Sequence, residues 1–217
     1  MVKANAYGVG IDVVVPVLLS EGCEIFFVAT VIEGQRVRAL CDKPIYVLAG
    51  VADSAEADLL HEAELRPVIN SQDQLDQWDT SKPYALHIDT GMERLGFSFP
   101  EGCAVLQNLK QANAPALTLT HFARADEGDA EAIRTQLACI ESLRELGLPL
   151  SVGNSAGILL HDVHEDVARA GIALYGGSPT GAVEDCLLPV VRLEGQVRQL
   201  RAPGKRCAGW LWWHVHC

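Results

Sequence analysis

Short apolar runs alternate along the chain with longer stretches in which apolar positions recur every three or four residues, and this continues up to Tyr175. The runs at 24–29, 44–48, 66–69, 83–89, 116–121, 150–153 and 167–173 are rich in Val, Ile and Leu and nearly continuous, as strands buried on both faces are. Between them, 11–21, 31–41, 54–64, 71–78, 102–112, 129–146 and 156–160 carry the helical period. Residues 1–4 read as the stub of one more strand. Seven strands and a stub, each followed by a helix or turn, leave two α/β architectures: an open doubly wound sheet or a closed (β/α)8 barrel. Eight units favour the barrel, with an incomplete first strand. After Tyr175 the pattern changes, and LLPVVRLEGQVRQL at 187–200 alternates with period two, predicting the opening strand of a separate β-type domain.

Composition narrows the function classes. The 217 residues include 17 Lys plus Arg against 28 Asp plus Glu, a formal charge of −11, and no basic run, so a nucleic-acid partner is not expected. The longest apolar runs, such as 13–19, are too short to span a bilayer, and no secretory leader pattern opens the chain. A cytoplasmic protein is expected. The cysteines number seven, none of them in a C-x-x-C pair, and read as free thiols in a reducing compartment. His161 and His164 lie three residues apart in a segment that reads as a surface turn, and His214, His216 and Cys217 lack a second ligand cluster, so no metal site is expected. The segment 207–217, CAGWLWWHVHC, holds three of the four tryptophans and reads as a non-native or frameshifted tail. The expected division is a barrel over 1–178, the start of a β-domain over 179–206, and the tail.

In a barrel of this kind the working groups sit at the C-terminal ends of the strands. Lys3 follows the stub, Asp89 and Arg94 follow the fifth predicted strand, and His121 ends the sixth. Asn154 and Ser155 follow the seventh, while Arg169, Gly171 and Ile172 lie at the eighth. A lysine at an apolar strand end is costly unless paired or neutral, and desolvation gives an amine the lowered pKa that a Schiff-base nucleophile needs. The bland alternatives are a surface lysine at position 3, a half-buried loop tyrosine at 7 and a satisfied core histidine at 121. Ser155 also suits a helix cap, and Arg169 a salt bridge to Glu165 or Asp166.

VKANAYGVG at 2–10 resembles the lysine segment of the bacterial alanine racemases, fold-type III pyridoxal-phosphate enzymes. HIDTGMERLGF at 87–97 resembles that family's K-x-D-T-G-M-x-R-L-G-F segment, and THFARAD at 120–126, NSAG at 154–157 and ARAGIALYG at 168–176 follow in the family's order. The resemblance implies a (β/α)8 barrel that binds pyridoxal 5'-phosphate and interconverts L- and D-alanine, supplying D-alanine for peptidoglycan as a homodimer. It implies that Lys3 carries the cofactor as an internal aldimine and acts as one of two catalytic bases. Tyr7, Ser155, Gly171 and Ile172 would form the phosphate end of the site, and Asn154 would also bind the cofactor. Arg169 would face the pyridine nitrogen with His121 beneath the ring, and Arg94 would orient the phenolic oxygen and the substrate carboxylate. Asp89 is expected to be a structural acceptor in the Arg94 loop, and Tyr175 a packing residue.

Several positions depart from the family pattern. His87 stands where a carbamylated lysine often holds the arginine, Val9 replaces a usual histidine, and Ala170 a common proline. No residue matches the motif of the second base, a tyrosine of a following β-domain. An impaired racemase truncated at both ends is therefore expected. A related racemase of broad or serine specificity, a decarboxylase of the same fold, and an inactive cofactor-binding remnant are the alternatives.

Overall fold

A computed structural model of the chain describes residues 1–109, 113–127, 130–163, 165–181, 186–192 and 194–199. The tail at 207–217 and His164 lie outside them. Strands β1 (Phe26–Val28), β2 (Ile45–Val47), β3 (Arg66–Ile69), β4 (Ala85–Asp89), β6 (Leu117–Leu119) and β7 (Leu150–Ser151) pair in parallel in that order, and a two-residue β5 (Phe97–Ser98) pairs with β4 off the main path. Two further segments extend the arc. At one edge the Val2 N–H donates to Phe27 O at 2.9 Å. At the other, Val167 and Arg169 N–H donate to Leu150 O and Gly153 O at 3.2 and 2.8 Å. The Tyr175 hydroxyl then donates to Met1 O at 2.9 Å, and its ring stacks on Tyr7 at 4.8 Å, so the first and last units of the curled sheet meet.

Neighbouring strand residues point to opposite faces, and here both faces are covered. Phe27, Tyr46, Val68, Ala85, Leu117 and Leu119 fill the barrel interior with Met1, Ile25, Leu48 and Val167. Phe26, Val28, Ile45, Val47, Ile69, Leu86 and Ile88 face outward. They pack on the apolar faces of α2 (Ile11–Ser20), α3 (Val31–Arg38), α4 (Ser54–Glu62), α5 (Gln72–Gln77), α6 (Phe99–Asn108) and α7 (Ala130–Arg144). At roughly 1.5–3 kcal/mol per large side chain, this two-sided burial is why the strands read as unbroken apolar runs.

Three strand-to-helix loops share one device. Thr30, Asp53 and Ser71 cap the N–H of Glu33, Glu56 and Gln74, and these in turn reach back to the N–H of Ala29, Ala52 and Asn70. Each reciprocal pair satisfies N–H groups that a helix start leaves open.

The structure departs from the sequence expectations in four places. The stub ends at Val2, and α1 (Lys3–Tyr7) contains a left-handed turn with φ of 51–54° from Ala4 to Tyr7. The segment 167–173 pairs only as far as Arg169. Ser155 Oγ then draws in the N–H groups of Gly171 and Ala173, and the chain coils into a 3-10 helix, Ile172–Tyr175. β5 is too short to show a period. The described residues of 187–200 form no strand: alternation selects a face, but a strand also needs a neighbour for its ladder. Residues 188–190 lie against Gly176 instead.

Candidate active site

At the C-terminal ends of the strands the loops enclose a cavity of about 590 Å³. Lys3, Tyr7, Arg94, His121, Asn154, Ser155, Arg169, Gly171 and Ile172, drawn from five separate loops, all line it. His87 and Asp126 line it too. Its charged side chains are Lys3, Arg94, Arg169 and Asp126, so positive charge prevails in a chain that is acidic overall.

Arg169 sets the electrostatics. It is 4% exposed, and one guanidinium nitrogen donates to Ser151 O and Oγ, both at 2.7 Å. The other donates to Thr120 O and, at 3.1 Å, to His121 Nδ1. The alternative salt bridge does not form, because Glu165 pairs with Arg144 and Asp166 accepts the Leu150 N–H. Burial pulls Arg169 down to about 10, so it still holds its proton at neutral pH. A buried cation without a carboxylate partner is costly, and Nε–H is left as the donor with no partner among the described residues.

Both cavity histidines are neutral with fixed tautomers. His121 Nδ1 faces an obligate donor and must accept, so its proton sits on Nε2. Burial, then Arg169 and Arg94, lower its pKa to about 3. Asn70 spends its amide nitrogen on Leu48 O and Val68 O, so its oxygen accepts from His87 Nδ1 at 2.8 Å and leaves Nε2 of His87 an acceptor. Burial, then Arg169, lower His87 to about 4. Asp89 accepts the N–H groups of Gly91, Met92 and Glu93, shaping the loop that presents Arg94. Among the described residues no side chain pairs with Arg94.

The opposite end of the cavity is a tight cradle. Asn154 Oδ1 caps α8 (Ser155–His161) through the Gly157 N–H at 2.8 Å. Ser155 Oγ accepts from Gly171 N at 2.9 Å and Ala173 N at 3.2 Å, which leaves its own proton to donate elsewhere. The Gly171 N–H, expected to face a phosphate, is thus spent on Ser155. A Cβ on Gly171 would stand 2.5 Å from the Tyr7 hydroxyl, so only glycine keeps the tyrosine in place.

Sequence reasoning missed the groups behind this lining: Asn70, Thr90, Thr120, Gln136 and Ser151, all buried. One signal was available. Gln136 interrupts the apolar stripe of α7 formed by Ile133, Ile140 and Leu143. His161, the other histidine singled out, donates from Nε2 to Ala125 O at 2.9 Å.

The family profile described as "Alanine racemase, N-terminal domain" matches residues 1–179. The chain belongs to the alanine racemase family. The alanine racemase of Rhodospirillum rubrum is 42% identical over 215 residues, which cover 93% of this chain and 57% of that protein. The biosynthetic alanine racemase of Agrobacterium fabrum is 36% identical over 220 residues, covering 94% of this chain and 55% of its own length. Among solved structures, alanine racemase from Bartonella henselae with covalently bound pyridoxal phosphate superposes with a TM-score of 0.78 at 32% identity, covering 87% of this chain and 56% of that one. The biosynthetic alanine racemase from Pseudomonas aeruginosa gives 0.76 at 33% identity, covering 86% and 54%. The chain spans a little over half the length of the alanine racemases it matches. The barrel expected from the apolar rhythm is the alanine racemase barrel.

Proposed function

We propose that this chain forms the cofactor-bearing part of an alanine racemase, with pyridoxal phosphate held at Lys3 and alanine as substrate. The observation that carries the reading is the buried Arg169, a cation whose remaining N–H and charge have no partner among the described residues. With Lys3 and the Ser155 hydroxyl in the same cavity, it suits a ligand with an aldehyde, a ring-nitrogen acceptor and a phosphate. When bound, pyridoxal phosphate acidifies the α-hydrogen of an amino acid by accepting the electrons of the broken bond.

The chain's own groups divide the work. Lys3 anchors the cofactor and moves a proton at the α-carbon on one face of the substrate. Arg169 keeps its proton at neutral pH, so a ring nitrogen against it stays an acceptor, and electron withdrawal is restrained. His121 supports the ring from a neutral imidazole. Tyr7, Asn154, Ser155, Gly171 and Ile172 surround the phosphate, with the Ser155 O–H as donor. Arg94, without a side-chain partner among the described residues, meets the phenolic oxygen and the substrate carboxylate. In this reading residues 1–178 are the barrel domain and 179–206 open a second domain. A full-length racemase of this family would act in the cytoplasm as a homodimer supplying D-alanine for peptidoglycan, whereas this chain alone would invert alanine poorly. Among the described residues no helix is long and apolar enough to cross a membrane.

The test is borohydride reduction of the 217-residue chain with pyridoxal phosphate, followed by peptide mapping. A phosphopyridoxyl group on the Lys3 peptide is the expected result. Label spread over other lysines such as Lys43 and Lys82, or no label, would overturn the reading.

A further inference from the structure

Two loops that line the cavity are tied to a helix outside the barrel through a single side chain. Gln136 lies midway along α7, on the face that Ile133, Ile140 and Leu143 bury, and is itself 4% exposed. Its Nε2 donates to Thr90 Oγ1 and to His121 O, both at 3.0 Å. Its Oε1 accepts the Ala123 N–H at 3.0 Å. Thr90 begins the loop that carries Arg94, and His121 with Ala123 belongs to the loop after β6. Thr90 Oγ1 also bonds Thr120 Oγ1 at 2.8 Å, and Thr120 O receives Arg169. One amide therefore spends both its hydrogens and its oxygen joining the Arg94 loop to the His121 loop, and the network continues without a break to Arg169.

This arrangement exceeds what stability requires. An apolar residue would continue the stripe on α7, whereas a buried amide must find every partner or cost free energy. Here one partner, His121, lines the cavity itself, and Thr90 and Ala123 lie in the loops that carry Arg94 and His121.

We propose that Gln136 is a positioning residue, a clamp that fixes the separation of Arg94 and His121 so that both address the same bound molecule. The inference rests on the cofactor reading above, because Arg94 and His121 are its ligand-binding groups. Gln136 itself touches no ligand, and acts through the backbone of His121 and the hydroxyl of Thr90.

The experiment uses the 217-residue chain with histidines labelled at Cε1, read by NMR across pH, and pyridoxal phosphate titrated separately. Gln136→Met removes the clamp at similar volume, and Gln136→Glu keeps the shape and the acceptor while deleting both donors. Ile140→Val, on the same buried face but outside the network, reports stability alone, and His121→Gln assigns the resonance. In the original chain His121 is expected to stay neutral well below the ordinary histidine range. In both Gln136 variants it should titrate about one pH unit or more higher, as Arg169 loses its grip on the ring. The Kd for pyridoxal phosphate should rise about tenfold or more in both, and Ile140→Val should leave it within about twofold. Thr90→Val cuts the same link from the other side and is read identically should a Gln136 variant not fold.

An unmoved His121 titration and an unmoved Kd in Gln136→Glu would overturn the clamp. Failure of the original chain to bind pyridoxal phosphate would instead sink the cofactor reading, while the His121 titration still decides the clamp.

Discussion

His87 and His121 are held neutral at the barrel mouth by burial and by the guanidinium beside them, at about 4 and about 3. In the unfolded chain both return to the ordinary histidine value near 6.5, so below that pH the unfolded state binds more protons. Stability is therefore full above about pH 6.5 and falls as pH drops toward 4, with a limiting slope of ~1.4 kcal/mol per pH unit for each group. Urea denaturation at several pH values should show the loss, and His121→Gln should flatten it. A slope unchanged by that substitution would mean that carboxylates carry the acid response. The lining residues were legible because each follows an apolar strand and five of the motifs resemble one family. Gln136 and Asn70 were not, since their partners lie up to 46 and 22 residues away and only the curled sheet joins them.

Local chemistry marks where several of the helices begin. The observed helices fall inside or close to the predicted ranges because caps such as Thr30, Asp53 and Ser71 mark where each begins. The left-handed turn after Lys3 was invisible to periodicity, because a run of small residues carries no pattern of faces. Ala4, Asn5, Ala6 and Tyr7 all sit at positive φ, which costs roughly 1–2 kcal/mol for each residue with a Cβ. Asn5 offsets part of this by accepting the Ile11 N–H at 3.1 Å with Oδ1, opening α2 where Gly10 offers no side chain. Asn5→Ala should therefore destabilise the chain by ~1 kcal/mol. It should also weaken pyridoxal phosphate binding by releasing the segment that presents Lys3. Equal thermal melting of the two chains would show that the turn holds without this bond.

At the scale of the molecule, Lys3 is the lysine that the cavity offers, among the described residues, for proton traffic at the substrate. Tyr7, the cavity's tyrosine, has its phenol raised by burial, stacks on Tyr175 and is a poor base. With pyridoxal phosphate, the 217-residue chain should exchange the α-hydrogen of one alanine enantiomer with solvent deuterium faster than it inverts it, by about 10²-fold or more. Mass spectrometry with chiral chromatography measures both. Equal rates would reveal a second base in the chain. The (β/α)8 architecture itself was readable from the strand count, whereas the fate of 187–200 was not, since alternation cannot say which neighbour a strand finds.

The bond from the Tyr175 hydroxyl to Met1 O joins groups 174 residues apart, and Lys3 and Tyr7 meet Arg169 and Gly171 across the same seam. The cavity thus draws on the first and the last described units of the barrel. During synthesis Lys3 has no pocket until the eighth unit has left the ribosome. With the proposed cofactor, capture would be a late event that selects completed barrels. Any opening that parts the seam releases the ligand, and ligand concentration should shift the global unfolding equilibrium by RT ln(1 + [L]/Kd) rather than merely quiet a local loop.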